Sequence, residues 1–164
     1  LCTTARFYQH YFSDLFLIVC IMALIHRTAL VEYSVDQMFD LVNDIEKYPE
    51  FMRGCVEAEV ISRHDNEIVG RLCLSKAGVK QVFTTKNLLN RPHSIEMNLV
   101  EGKFKTFRSR WEFEPLQENA CKVSLHMEFE FDSGLADFAA EKLLSSSANS
   151  LVDSLVSRAK VTYG

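Results

Sequence analysis

The chain has 164 residues, 48% hydrophobic and 24% charged, a balance that is typical of one globular domain and excludes a disordered chain. A formal net charge of -4 gives no overall attraction to nucleic acid, so we expect no DNA partner, and an RNA partner would need a local basic patch. The five cysteines are odd in number and form no C-x-x-C pair. They indicate a reducing compartment and argue against a disulfide framework or a metal site.

The first 21 residues are predicted to be an extension outside the fold, and residues 22–164 to form a single domain. Residues 15–25 are an apolar run too short to cross a bilayer, which needs about 20 residues. A secretory signal is the alternative, but only Arg6 supplies positive charge ahead of the run and no A-x-A-like cleavage site follows. The chain also starts with Leu rather than Met, and Met22 lies just before the first strand-like segment.

A strand and a short helix are predicted next. Residues 24–33 are rich in β-branched and aliphatic side chains, which favours a strand. Ser34 is a good helix N-cap, and Gln37 three residues later completes a capping box. Apolar residues then recur at helical spacing, at Met38, Leu41, Val42 and Ile45.

Proline and turn residues divide the middle of the chain. Pro49 disfavours the helical conformation at Tyr48, so we expect a break and at most one further turn over residues 47–53. Five strands bounded by turn residues are then predicted at 55–63, 67–75, 79–89, 94–100 and 104–114. Because the connections are short, consecutive strands should be antiparallel.

The last two elements have the clearest patterns. In residues 122–131, apolar and polar side chains alternate strictly, which predicts a strand with one buried face. Residues 135–161 carry apolar side chains at three- and four-residue spacings, which predicts an amphipathic helix of about 40 Å. Only this helix is long enough to cover the sheet. The predicted class is therefore α+β: a curved antiparallel seven-stranded sheet around a long C-terminal helix, with two short helices after the first strand and a cavity beside the turn at 48–52.

Three strings in this order carry a family resemblance: LVNDIEKYPEFMRGC (41–55), SKAG (75–78) and NLVEGKFKTFRSRWEFEPL (98–116). They resemble the RatA and coenzyme Q-binding branch of the START-like, or helix-grip, superfamily of polyketide cyclase/dehydrase-like proteins. The resemblance covers residues 24–163. Arg53 and Lys103 stand where this family often has proline.

The resemblance implies a non-catalytic protein that binds a hydrophobic isoprenoid lipid such as ubiquinone and supports respiration. It would act in the cytoplasm or peripherally at the inner face of the membrane, with no resident cofactor. Such a ligand needs a dry tunnel with aromatic and flexible walls. The candidate ligand-binding residues, each of which could instead be ordinary core, are Tyr48, Phe51, Met52, Phe83, Met97, Leu99, Phe104, Phe107 and Trp111.

A ribosome association toxin is the alternative that the resemblance implies, binding the large ribosomal subunit and blocking subunit association and translation initiation. Phosphate contacts need basic clusters. The candidates are Lys103, Lys105, Arg108 and Arg110. Strict alternation puts both arginines on the wet face beside Glu112, so an ordinary strand with ion pairs is the competing interpretation.

Catalysis is the competing class, because some helix-grip proteins are enzymes. The histidines at positions 26, 64, 93 and 126 are scattered, and His126 belongs to the polar face of its strand. The sequence contains no G-x-S-x-G, H-E-x-x-H or phosphate-binding glycine loop. We therefore predict no catalytic residues.

Overall fold

The computed structural model describes residues 22–131 and 134–164. The extension expected at residues 1–21 lies outside this part of the chain. The helices are α1 (Val35–Asn43), α2 (Tyr48–Phe51) and α3 (Leu135–Tyr163), and a single 3-10 turn (Ile45–Lys47) precedes α2. The strands are β1 (Met22–Val31), β2 (Cys55–His64), β3 (Glu67–Lys76), β4 (Val79–Asn90), β5 (Ser94–Glu101), β6 (Thr106–Gln117) and β7 (Ala120–Glu130).

The seven strands form one antiparallel sheet in the order β1-β7-β6-β5-β4-β3-β2. The first strand pairs with the last, so β1 and β2 lie at opposite edges although they are consecutive in the chain. The α1–α2 segment joins these two edges. Helix α3 lies against the concave face, and its main strand contacts are with β1, β3, β4 and β7. The predicted helix-grip class is confirmed.

Helix α1 begins as the sequence predicts. The Gln37 amide N–H donates to the Ser34 hydroxyl at 3.3 Å, and the Ser34 N–H donates to the Gln37 side chain at 2.9 Å. This capping box satisfies backbone donors that the first helical turn leaves without partners. The apolar side of the helix buries Met38, Phe39, Leu41 and Val42.

The expected loss of helical conformation at Tyr48 is wrong. Tyr48 has φ -54° and ψ -37°, and α2 begins there with Pro49 in its first turn, where the missing N–H of proline costs little. The Tyr48 ring is buried, and its hydroxyl donates to the Val42 carbonyl at 2.7 Å. These tertiary interactions outweigh the local preference of a residue that precedes proline. The expectation of at most one further turn is correct.

Strand β6 begins two residues later than predicted. Gly102 has φ +151°, a backbone conformation that residues other than glycine rarely adopt, and the chain turns there before β6 begins. Phe104 therefore lies in the loop between β5 and β6 rather than in the strand. This position lets its ring reach the concave face of the sheet.

Candidate functional site

A cluster of five phenylalanines, called the phenylalanine cluster below, occupies the end of the concave face where α3 begins. It consists of Phe83, Phe104, Phe107, Phe129 and Phe131. Phe104 is at its centre, with ring centroids 5.5 Å from Phe83, 5.2 Å from Phe107 and 4.6 Å from Phe131. These spacings are typical of favourable aromatic pairs. The structure thus brings three of the predicted ligand-binding residues together and adds Phe129 and Phe131, which sequence reasoning assigned only to the strand.

The concave face is open at β5. Met97 and Leu99 point inward on this central strand but are only partly buried. Their incomplete burial agrees with the path of α3, whose main strand contacts lie on either side of β5. Both are flexible aliphatic side chains, as expected for the wall of an apolar site.

Three polar residues, called the polar belt below, cross the concave face next to these two aliphatic side chains. They are Thr85, Asn87 and Ser109, with 3%, 4% and 6% of their surface exposed. The Thr85 hydroxyl donates to Asn87 Oδ1 at 2.8 Å, and the Ser109 hydroxyl donates to the His126 carbonyl at 3.2 Å. Sequence reasoning missed this belt. The available signal was the alternation in β4, which puts residues 85 and 87 on the same face as Phe83.

The other end of the concave face is closed by packing. Trp111 is 1% exposed, and its ring lies parallel to Phe113, with centroids 6.4 Å apart. Phe113 in turn meets Phe39 of α1 edge-on at 5.6 Å. Trp111, a predicted ligand-binding residue, is thus located in the tightly packed part of the core beneath α1.

The turn predicted beside the cavity has two environments. Tyr48 and Met52 are 4% and 5% exposed, and burial raises the pKa of Tyr48 far above its ordinary value. Phe51 is half-buried, with the Arg158 guanidinium 5.8 Å above its ring. It lines a groove of about 470 Å³ between α2 and the C-terminal half of α3, where Arg158 pairs with Glu50 at 2.9 Å. The nine predicted ligand-binding residues therefore do not share one environment.

Two of the four predicted ribosome-contact residues are engaged in ion pairs. Arg110 pairs with Glu96 on β5 and, at 2.9 Å, with Glu112 on its own strand. Lys105 pairs with Glu130 at 2.8 Å. For Arg110, the strand-with-ion-pairs interpretation of the sequence is therefore correct.

The other two cations belong to a group called the convex basic patch below, made of Lys80, Lys103 and Arg108. All three are exposed, and none has an ion-pair partner within the described ranges. Phe83 and Phe107 lie on the inward faces of β4 and β6, so Lys80 and Arg108 on the same strands point outward. Lys103 lines a hollow with Val82 and Thr84. The three cations thus lie on the outer side of the sheet, on β4, on β6 and in the loop between β5 and β6.

Two of the described histidines lie together on the convex face of the sheet. His26 and His126 stack on the convex face with centroids 4.1 Å apart, away from the interior. Across residues 22–131 and 134–164, no three His, Cys, Asp or Glu side chains are grouped to hold a metal ion. Within the same residues, no helix is long and apolar enough to cross a membrane.

Comparison with known proteins places the chain in a family. Residues 31–156 match the family model for polyketide cyclase/dehydrase and lipid transport. The chain is 44% identical over 143 residues to the ribosome association toxin RatA of Vibrio cholerae serotype O1, covering 87% of this chain and 99% of that protein. It is 38% identical to RatA of Escherichia coli K12, over 93% of this chain and 96% of that protein. The mitochondrial coenzyme Q-binding protein COQ10 of Drosophila melanogaster is 26% identical, over 65% of this chain and 46% of that protein.

Solved structures show the same fold. The protein TTHA0849 from Thermus thermophilus matches with a TM-score of 0.76 and 17% identity, over 87% of this chain and all of that one. The Zhui aromatase/cyclase from Streptomyces sp. R1128 matches with a TM-score of 0.73 and 16% identity, over 85% and 94%. From its fold and its near-full-length relatives, the chain belongs to the polyketide cyclase/dehydrase and lipid transport (START-like) family, in the branch of RatA and the coenzyme Q-binding proteins.

Proposed function

We propose that this protein is a ribosome association factor of the RatA type, which binds the large ribosomal subunit and blocks its joining to the small subunit. The observation that carries the proposal is the 44% identity across 99% of the length of a protein named as a ribosome association toxin. A second relative with the same name matches over 96% of its length, so the likeness includes the whole domain rather than one motif.

The convex basic patch is the surface proposed to contact ribosomal RNA. Its three cations, Lys80, Lys103 and Arg108, are exposed and have no ion-pair partner among the described residues. They can therefore approach phosphates without first breaking an ion pair. Arg110 and Lys105 contribute less to this proposal, because carboxylates already neutralise them. A local patch is required because the net charge of the chain is -4.

Co-sedimentation with purified large subunits over a range of salt concentrations tests this surface. The variant Lys80→Gln/Lys103→Gln/Arg108→Gln should bind more weakly, and its log–log salt slope should fall by roughly 1 for each cation that contacts a phosphate. A matched control, Lys47→Gln/Arg63→Gln/Lys160→Gln, removes the same charge from exposed positions elsewhere. Equal losses in both variants would mean that net charge, rather than this patch, governs binding. Absence of wild-type binding would refute the ribosome proposal itself.

Binding of a hydrophobic ligand in the interior is the second candidate, with ubiquinone as the expected ligand. Two observations favour it: the phenylalanine cluster, and the partly buried Met97 and Leu99 on the inward face of a central strand. A relative named as a coenzyme Q-binding protein adds support, although this chain covers only 46% of its length.

Native mass spectrometry with organic extraction, on protein purified from its own cells, tests the second candidate. A co-purifying polyprenyl quinone at near-stoichiometric amount would establish the interior as a lipid site. Phe104→Asp should then abolish quinone binding without unfolding the sheet, because Phe104 lies in a loop at the centre of the cluster and is not fully buried. Retained binding by this variant would contradict the placement of the ligand at the cluster.

Both candidates are binding functions, and neither requires catalysis. The relatives in this branch are named as a toxin and a binding protein, whereas the Zhui aromatase/cyclase is only 16% identical to this chain and shows the fold alone. The proposed site of action is the cytoplasm or the inner face of the membrane, where a large ribosomal subunit or a membrane quinone can be reached.

A further inference from the structure

The most informative buried group outside the contacts already assigned is the side chain of Asn87. It is 4% exposed and lies on the inward face of β4, opposite Ile68 of β3 and Met97 of β5. An amide offers two N–H donors and a carbonyl oxygen. Only the oxygen is engaged, by the Thr85 hydroxyl at 2.8 Å.

The amide nitrogen of Asn87 donates to no residue in the described part of the chain. Within the same ranges, two polar side-chain atoms are fully buried without a hydrogen-bond partner, Asn43 Oδ1 and Thr84 Oγ1. The amide nitrogen of Asn87 is not one of them. The nitrogen therefore keeps some accessible surface, although the residue as a whole is only 4% exposed. Met97, the neighbour of Asn87 across the sheet, points inward and is only partly buried, so the two residues border the same incompletely covered part of the concave face.

The surroundings of this amide restrict what could bind there. The inward-facing positions of β4, β5 and β6 carry apolar or neutral polar side chains and no charged residue. A charged head group would lose its hydration there without gaining a counter-ion, which is strongly unfavourable. A pure hydrocarbon would leave the buried N–H donors unpaired, which also costs free energy. The chemistry that satisfies both limits is a neutral hydrogen-bond acceptor attached to an apolar body.

We infer that Asn87, oriented by Thr85, is the binding group for the oxygen atoms of a neutral, acceptor-bearing lipid such as a quinone. This inference rests on the second candidate function, binding of a hydrophobic ligand in the interior. It extends that function by assigning the polar end of the ligand to β4. The isoprenoid body would then lie along the open face at Met97 and Leu99, toward the phenylalanine cluster.

Equilibrium dialysis with two probes tests the assignment. One probe is a short-chain ubiquinone with two isoprene units, and the other is farnesene, an isoprenoid hydrocarbon without oxygen. The variant Asn87→Leu has a side chain of similar size without hydrogen-bonding atoms. It should weaken ubiquinone binding about tenfold, as expected for the loss of about 1.4 kcal/mol, and leave farnesene binding unchanged or stronger.

Asn98→Leu is the matched control, because Asn98 is an exposed asparagine on the opposite face of β5. It should bind both probes as the wild type does. Thr85→Val is a second test, which applies also where Asn87→Leu fails to fold. Without the hydroxyl that orients the amide, ubiquinone binding should weaken about threefold with farnesene unaffected.

Three results would overturn the inference, in distinguishable ways. If the wild type binds ubiquinone and both Asn87→Leu and Thr85→Val bind it equally well, the interior is a lipid site but Asn87 does not bind the oxygen atoms of the quinone. If the wild type binds neither probe, the second candidate function fails and the inference fails with it. Equal weakening of ubiquinone and farnesene binding by Asn87→Leu would also overturn it, because a loss of packing alone would explain that result.

Discussion

Replacing Tyr48 with phenylalanine should destabilise the fold by about 2 kcal/mol, because it removes a hydrogen bond in a fully buried position. The Tyr48 hydroxyl donates to the Val42 carbonyl at 2.7 Å, and the tyrosine is only 4% exposed. Val42 lies in the last turn of α1, where backbone carbonyls have no partner within the helix. Loss of the hydroxyl would leave this carbonyl buried without a donor, since phenylalanine fills the same space and keeps water out.

Thermal and urea unfolding measure this effect. For a chain of this length, about 2 kcal/mol lowers Tm by about 4–8 °C. Tyr163→Phe is the matched control, because the Tyr163 hydroxyl also donates to a carbonyl of α1, that of Gln37 at 3.1 Å, but in an exposed position. Water can replace that bond, so the control should change stability by less than about 0.5 kcal/mol. Equal effects in the two variants would refute the claim that burial makes the Tyr48 bond important.

The pH dependence of unfolding provides an independent check on the same residue. Burial is the main cause of the raised pKa of Tyr48, and the nearby groups Cys55 and Asp44 add to it. The unfolded chain loses this proton near pH 10.0, whereas the folded state retains it to higher pH. The stability contributed by the neutral phenol is therefore complete below pH 10 and is lost as the pH rises above it. Tyr48→Phe should remove this part of the alkaline destabilisation, and an unchanged profile would contradict burial of the phenol as its cause.

Three further predictions concern other parts of the fold. Burial raises the pKa of Cys121 from 9.0 to about 11. The neutral thiol should therefore stabilise the fold fully below pH 9 and lose that contribution as the pH rises toward 11. Cys121→Ala should remove this pH dependence from the urea midpoint measured across the same range. Gly102→Ala should lower the unfolding free energy by about 1–3 kcal/mol, because at φ +151° the new Cβ would lie 2.9 Å from Phe83 Cβ. Gly78→Ala should cost less, because a Cβ there meets nothing within 4 Å. Equal losses of unfolding free energy in urea would refute the steric argument. Arg110→Gln removes two exposed ion pairs and should change the unfolding free energy by less than about 1 kcal/mol, so a larger loss would mean that these pairs are not ordinary surface pairs.

The sequence predicted the elements whose signals lie within a few neighbouring residues. The alternation in β7 and the capping box of α1 each lie within a few residues, and the structure has both. The errors occur where distant residues decide the conformation. Tyr48 is helical because its ring and hydroxyl are held by the rest of the fold, and Phe104 leaves the strand because its ring packs against the phenylalanines of three other segments.

The site was predictable only in part, because it depends on strand register. The sequence places Arg110 and Glu112 on one wet face, and they do form an ion pair. It does not show that Glu96 of β5 lies opposite Arg110, which neutralises that arginine further. The same limit hid the polar belt, since the incomplete cover beside Asn87 depends on Met97 across the sheet and on the path of α3.

The pairing of the first strand with the last has a consequence for synthesis of the chain. Val31 at the end of β1 lies opposite Cys121, so β1 has no strand partner until 90 further residues have been made. Contacts between such distant residues slow folding, because a long loop must close before the pair can form. During translation, the backbone donors and acceptors of β1 therefore stay without their native partners and can pair with other strands. Chaperone dependence and co-translational aggregation should respond most strongly to changes in β1 and β7, even where the finished protein tolerates them.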